Sequence, residues 1–418
     1  MFASKQHKLS ACGKTYTFTI GGGGCDKRSG RTPIIIPKPT HDIYCFGQDS
    51  ISLFNDNEQV ILTVADGHGS ITAGKTISYK LHDYIIEKVI ALKDVLLSLL
   101  RTSDEIEIKI IMDKMFGEVN DIILNVDEDT RRFNDGGSTF TLVHKIIDDV
   151  DGSLYTITSN VGDSPHIKIE DGIVNEITEQ QNCDNIDAVE RYCNNCMTDG
   201  IEPTPVILGR INHRLVNGTF ACQMKWMGSD TIKPYNYTIL PNGKYKVEPN
   251  YSVMQKLYET APDSVKRLSL YNGGPQSIRE RPANILALES GNYPMENFGS
   301  TLNGSVQSVS SFGDKLSIHN HNIMCIPSVC ITKENGDNIS YDFITTDGGY
   351  DCLTNENISE LFKDKGNMEM EEIMRLIKYK IDKMAREGQF PFRNDYPVWD
   401  DLSYWVVSTT KHLEIDTL

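Results

Sequence analysis

Aspartates recur in this chain where an apolar run meets a turn. Val60–Ala65 runs into Asp66-Gly67-His68-Gly69, and Leu154–Val161 runs into Gly162-Asp163-Ser164. Phe343–Thr346 leads into Asp347-Gly348-Gly349-Tyr350-Asp351, and Asp400-Asp401 stands just ahead of Leu402–Val407. Carboxylates are hard oxygen donors of the kind that Mg²⁺ and Mn²⁺ take. At strand ends they are held by a sheet yet stay open to solvent. The pattern predicts a divalent-metal centre assembled from distant parts of the chain. Such a centre can make a bound water acidic and polarise a substrate oxygen. Mg²⁺ keeps much of its water, so few direct protein ligands are expected, each a short-stalked aspartate.

The elements that must position these residues follow from periodicity. Strands at Ile51–Phe54 and Val60–Ala65 flank an Asn55-Asp56-Asn57 turn, a hairpin signature. Ile77, Leu81, Ile85, Val89, Leu92, Leu96 and Leu99 recur at helical spacing, predicting a long amphipathic helix over 72–100. A second stripe, Ile108, Ile111, Met115, Val119, Ile122 and Ile123, predicts another. From Thr139 the period returns to two. Thr139–Ile147, Leu154–Val161 and His166–Ile169 are separated by turn residues and read as an antiparallel meander. Further strands are expected at Ser328–Thr332, Tyr341–Thr345 and Leu402–Ser408, with a helix from Met370 that stops near Gly388. Residues 1–40 read as a leader: Gly21–Gly24 would be flexible, and Thr15–Ile20 would add an edge strand. Residues 175–300, rich in Asn, Gly, Pro and Tyr, read as an insertion or enlarged flap. Residues 41–410 form the catalytic domain in this reading, with 411–418 as a tail. Two antiparallel sheets with helices on their outer faces satisfy the inventory.

Composition narrows the class. The 41 basic and 58 acidic residues give a net charge of −17, which argues against a nucleic-acid partner. No apolar run approaches the ~20 residues that span a bilayer, and the N-terminus lacks a signal peptide's apolar core. A cytoplasmic monomer with no membrane partner is expected. The 10 cysteines are spread thinly, so reduced thiols are expected; Cys193-Asn194-Asn195-Cys196 lacks a nearby fourth ligand for zinc.

With Gly136-Gly137-Ser138-Thr139 added, the aspartate fragments resemble the metal-dependent type 2C protein serine/threonine phosphatases. The hallmarks of that family are a DGHG turn, a GST segment, a GDS turn, a DG-x-x-D motif and a closing DN before a hydrophobic strand. Four occur here as such and the fifth as Asp400-Asp401, all in family order, over roughly residues 42–170 and 298–410. The resemblance implies an α+β fold, a four-layer αββα sandwich of two central antiparallel sheets flanked by helices, with the metal site in a cleft at one edge. It implies that Asp66 bridges two Mg²⁺ or Mn²⁺ ions, that the Gly67 carbonyl binds one, and that Asp347 and Asp400 bind the other. A third, labile ion would sit among Asp163, Asp347 and Asp351. His68 matches the general acid that protonates the leaving seryl or threonyl oxygen. Asp49 would orient metal-bound water, and Thr139 would line the site. No organic cofactor is implied. Gly304–Val309 with Phe312-Gly313-Asp314 resembles a family helix of small residues that ends in a GD.

Three positions depart from the family pattern. Asp401 replaces the usual Asn and would support the ligands from behind, or exchange with Asp400. Tyr44 stands where an Arg or Lys grips the substrate phosphate, and Pro165 replaces the Arg after the GDS turn. Phosphate grip would then fall to Lys38 or Lys75, and Tyr44→Arg would be expected to lower the Michaelis constant. The expected function is hydrolysis of phosphoserine and phosphothreonine in a phosphoprotein partner. The alternative is a catalytically weak phosphatase-fold binding or regulatory protein (a pseudophosphatase). A small-molecule phosphatase with the same site is a third possibility.

Overall fold

The computed structural model describes residues 5–26, 33–183, 185–198, 200–204, 206–216, 219–225, 235–250, 252, 298–302, 308–315, 323, 325–334, 339–350, 353, 355–363, 368–387, 392–393, 396–397 and 401–413. The strands in chain order are β1 (Lys5–Ala11), β2 (Lys14–Cys25), β3 (Ile34–Pro37), β4 (Asp42–Phe46), β5 (Asp49–Asn55), β6 (Gln59–Ala65), β7 (Gly67–Gly69), β8 (Gly136–Ser138), β9 (Phe140–Ile147), β10 (Leu154–Val161), β11 (His166–Glu170) and β12 (Ile173–Glu176). They continue with β13 (Val206–Val216), β14 (Thr219–Lys225), β15 (Tyr235–Ile239), β16 (Tyr245–Pro249), β17 (Phe298–Leu302), β18 (Phe312–Gly313), β19 (Ser328–Lys333), β20 (Ser340–Thr345), β21 (Phe392–Arg393), β22 (Tyr396–Pro397) and β23 (Leu402–Leu413). The helices are α1 (Ile71–Thr102), α2 (Glu105–Asp121), α3 (Ile186–Thr198), α4 (Asp347–Tyr350), α5 (Asn355–Phe362) and α6 (Met370–Glu387).

Two antiparallel sheets make the centre. One runs β19-β10-β9-β6-β5-β4-β3 and the other β1-β2-β23-β20-β11-β12. The central strands β6, β9, β10 and β20 are buried along their whole length because both faces of each sheet are covered. Between the sheets, Phe18, Ile20, Ile344 and Trp405 meet Ile51, Leu62 and Val143. On the outer face of the first sheet, Ile77, Leu81, Ile85 and Val89 of α1 and Met112, Phe116 and Val119 of α2 cover Ile61, Leu142 and Ile157. On the outer face of the second, Ile358 of α5 and Ile373, Met374, Ile377 and Ile381 of α6 cover Phe343, Tyr404 and Val406. The layers are therefore helix, sheet, sheet, helix, as expected. A π-helical turn at Ile122–Val126 ends the α2 stretch. Among the described residues, no helix is long and apolar enough to cross a membrane.

The structure differs from the sequence reading in four places. Residues 5–25 are not a leader. Here β2 lies between β1 and β23, and Gly21–Gly24 pair with Val406–Ser403. The glycines are there because Met374, Tyr404, Phe46 and the Leu402 carbonyl pack where side chains would go, not to give flexibility. The meander stops after two strands: β9 and β10 pair, but β11 joins β20 in the other sheet. The Gly162-Asp163 turn thus carries the chain from one sheet to the other. Residues 411–413 continue β23, so they are not a tail. The small-residue helix expected near Gly304 falls partly outside the described residues, and Phe312-Gly313 within it is a strand paired with β8.

Within 175–300, the described residues give α3, a β14-β13-β17 sheet and a β15-β16 hairpin. Cys183, Cys193 and Cys196 are buried among Tyr192, Tyr235 and Val247 and are not disulfide-bonded.

Candidate metal centre and active site

Each acidic fragment leaves one central strand, and hydrogen bonds join those strand ends to one another. Asp66 follows β6, whose seven residues are all buried. Its carbonyl oxygen accepts from Thr139 N and Ser138 Oγ, both at 2.9 Å. Thr139 Oγ1 lies 2.6 Å from Ser164 Oγ, and Thr141 Oγ1 donates to the Ser164 carbonyl at 2.5 Å. The DGHG, GST and GDS segments are thereby tied together. Thr345 N donates to Pro165 O at 3.1 Å, which ties the GDS turn to the strand that ends at Asp347. Thr346 N donates to Ser403 O at 3.0 Å, and Ser403 N donates to Thr346 Oγ1 at 3.1 Å. That brings the start of β23 to the same edge. Fragments some three hundred residues apart in sequence become neighbours because their strands are neighbours.

Asp49 opens β5 opposite Phe46 and is 1 % exposed. Asp401 packs under the preceding turn, where Gln48 N donates to its Oδ2 at 2.9 Å. Gly47 has φ +70°, and a Cβ there would run into the Asp401 carboxylate. Asp401 therefore braces the turn that carries Asp49. Asp400 and Asp351 lie outside the described residues.

Asp66 and Asp347 are half-buried, Gly67 is buried, and Asp163 is 8 % exposed. Burial first, and then the charge of Asp347, hold the Asp163 carboxyl well above the ordinary carboxylate range. Two carboxylates this close ionise together only at an energetic cost that a cation removes. The donor set is hard oxygen throughout, so its chemistry fits Mg²⁺ or Mn²⁺. Among the described residues, no group of three or more His, Cys, Asp or Glu side chains is placed to hold a metal ion.

His68 lies on β7, opposite Gly137 of β8. Its Nε2 is 2.7 Å from Asp314 Oδ2. Burial alone would lower the imidazole pKa, but the Asp314 carboxylate outweighs it, with help from Asp163 and Asp347, and the net direction is upward. The ring is thus biased toward its charged, proton-carrying form. Asp314, Gln181 and Asn182 were not identified as site residues from sequence. Gln181 N donates to Gly162 O, and its Oε1 accepts from Gly162 N, both at 2.9 Å. Asn182 supplies a hydrogen bond to Asp163. The GD dipeptide was a signal for Asp314. Nothing marked Gln181 or Asn182, which lie in the Asn-rich stretch.

Tyr44 does not face the acidic cluster. Its ring sits in the inter-sheet core, edge-on to Trp405, and lines a polar cavity with Lys5, Lys38, His41 and Asp42. Lys38 is engaged in an ion pair with Asp83. Lys75 is half-buried near the start of α1. The expected kinetic gain from Tyr44→Arg is therefore reversed. Placing a guanidinium in this core is expected to lower stability by ~1–3 kcal/mol with no fall in Michaelis constant, to be read by urea unfolding and steady-state kinetics.

No family model matches the sequence, and no curated protein matches it. Among solved structures, the chain is similar to a Caenorhabditis elegans sex-determining protein, at 13% identity and a TM-score of 0.48, over 93% of this chain and 64% of that one. It is similar to the serine-threonine phosphatase 2C of Toxoplasma gondii, at 13% identity and a TM-score of 0.47, over 98% and 99% of the two chains. It is also similar to the catalytic domain of the serine/threonine phosphatase PstP, crystallised with two manganese ions, at 12% identity and a TM-score of 0.40, over 94% and 99%. By its ordered motifs and its paired antiparallel sheets, this chain resembles the metal-dependent type 2C serine/threonine phosphatases.

Proposed function

We propose that this chain is a Mg²⁺- or Mn²⁺-dependent phosphoprotein phosphatase acting on phosphoserine and phosphothreonine. The observation that carries this reading is the joining of the Asp66, Asp163 and Asp347 fragments at one edge of the sandwich, with His68 beside them. Asp66, the Gly67 carbonyl, Asp347 and Asp400 would hold two ions, and Asp163 and Asp351 a third. The ions would supply an ionised water at neutral pH and neutralise phosphoryl charge. The chain's own residues do the rest. Asp49 orients water at the site, Thr139 and Ser164 fix the two turns against each other, and His68 carries the proton for the leaving oxygen.

The burial of Tyr44 favours a second reading, a phosphatase-fold binding protein with little turnover. Hydrolysis of p-nitrophenyl phosphate and of phosphopeptides with Mn²⁺, repeated with chelator, separates the two. The expected result is turnover that requires Mn²⁺ and a melting temperature that rises with it. Saturation at ~100 times the dissociation constant is worth ~2.7 kcal/mol. Turnover that survives exhaustive chelation would exclude the metal mechanism. Metal-induced stabilisation and phosphopeptide binding without turnover would select the second reading.

A further inference from the structure

Asp314 reaches His68 from 246 residues downstream and is itself 3 % exposed. Three elements hold it there. Its backbone N donates to Gly136 O at 2.8 Å, Ser311 Oγ bonds its Oδ2, and Gly313 N donates to Asn120 Oδ1 of α2 at 2.9 Å. Asp314 sits in the left-handed region at φ +51°, a conformation that Asp tolerates and most side chains resist. Across the β7–β8 ladder, a Cβ on Gly137 would strike both the Asp314 carboxylate and His68 Nε2. A buried carboxylate in a strained backbone conformation, aimed at one atom of one ring, is a specific arrangement. Solvation does not explain it, because the carboxylate gives up water to be there.

We propose that Asp314 is a positioning residue that fixes the ring orientation of His68 and holds the Nε2–H, leaving Nδ1 as the atom that donates to the leaving oxygen. This rests on the phosphatase reading for its last clause only. The proton balance is simple. The imidazolium carries a proton on each nitrogen; as the P–O bond breaks, the bond's electron pair stays on the seryl or threonyl oxygen and the Nδ1 proton moves to it. The ring is left as the neutral Nε2–H tautomer, which is the form that donates to Asp314. Of the two neutral tautomers, the carboxylate favours the one this transfer leaves, and so it sets which ring edge performs the transfer.

Two measurements on the full chain test this. ¹⁵N-histidine-labelled protein without metal, with His68→Gln for assignment, should show His68 as the Nε2–H tautomer. Asp314→Asn, an exchange suited to positive φ, should shift that signal toward Nδ1–H or a mixture. In Mn²⁺, the variant should lose ~10–100-fold in turnover of phenyl phosphate, whose leaving oxygen needs a proton. It should change little on 2,4-dinitrophenyl phosphate, whose leaving group needs none. Asp314→Gly, also at home at this φ, replaces the amide variant if that fails to fold. An unchanged tautomer, or equal loss on both esters, overturns the proposal, since damage to the metal site would slow both. If the wild-type chain hydrolyses neither ester, the phosphatase reading falls, and the tautomer measurement still decides the role of Asp314.

Discussion

Asp66→Asn is expected to abolish Mn²⁺-dependent hydrolysis while leaving the fold in place. The contacts that fix this residue in the sandwich include two bonds to its backbone carbonyl, from Thr139 N and Ser138 Oγ, and an amide side chain does not disturb them. The preceding strand is wholly buried and supplies the local stability independently. What changes is the charge of the donor. An amide oxygen is a neutral, weaker ligand for a divalent ion, so metal affinity falls and the bound water is less acidic. The metal contribution is worth several kcal/mol of transition-state stabilisation, so turnover should fall at least a hundredfold or so, at ~1.4 kcal/mol per tenfold. Steady-state kinetics across a Mn²⁺ titration, with thermal melting as the fold control, is the check. Near-normal turnover at sub-millimolar Mn²⁺ would show that another residue carries the role given to Asp66.

The site was legible in sequence because its chemistry is concentrated in short motifs at strand ends. A run such as Val60–Ala65 followed by Asp66-Gly67-His68-Gly69 announces both a buried strand and the turn at its end. The long helix was equally legible: the 72–100 stripe became α1, Ile71–Thr102, because seven apolar residues spaced three or four apart share one face only when the chain is helical. What could not be read was pairing across the sandwich. His166–Ile169 looks like the next meander strand, yet a glycine at φ +96° in the Gly162-Asp163 turn lets the chain change sheets. The Gly21–Gly24 run looks like a linker because composition does not reveal that Tyr404 and Met374 occupy the space above it. Tyr44 was placed by analogy with a motif position, and only the packing against Trp405 puts it in the core. Asp314 shows the same limit from the other side: a GD dipeptide is visible, but its meeting with His68 depends on a three-stranded ladder of residues from three parts of the chain. Local pattern fixes elements; partner choice needs the third dimension.

The least legible feature carries the largest expected effect on stability. Lys145→Met is expected to destabilise the fold by ~3–5 kcal/mol, the usual result of removing one partner from a buried ion pair. In sequence, Lys145 is one charge within the Thr139–Ile147 run. In the structure it is fully buried, and its Nζ lies 2.9 Å from Asp342 Oδ2 and 3.5 Å from Glu334 Oε1. Asp342 Oδ1 meets His166 Nε2 at 2.9 Å, and the other ring nitrogen of His166 is 2.9 Å from Thr158 Oγ1. Lys168 closes the network with Glu334 at 2.8 Å. Strands β9 and β10 belong to one sheet, β11 and β20 to the other, so the network pins the two together. Burial would raise the Asp342 pKa, but the charge of Lys145 and the bond from His166 outweigh it and hold the carboxyl well below the usual range. A carboxyl depressed in the folded state contributes stability above its unfolded pKa of ~3.9 and loses it as the pH falls toward the folded value. The wild-type chain should therefore lose stability more steeply than Lys145→Met below about pH 4, and the gap between them should narrow there. Urea unfolding at neutral pH and at successively lower pH reads both effects. Replacing both partners, as Lys145→Met with Asp342→Leu, should recover part of the loss, because an apolar pair leaves less unpaired charge in the core. A neutral-pH loss under ~1 kcal/mol for Lys145→Met would place this lysine among solvent-screened pairs and refute the buried network as a clamp between the sheets.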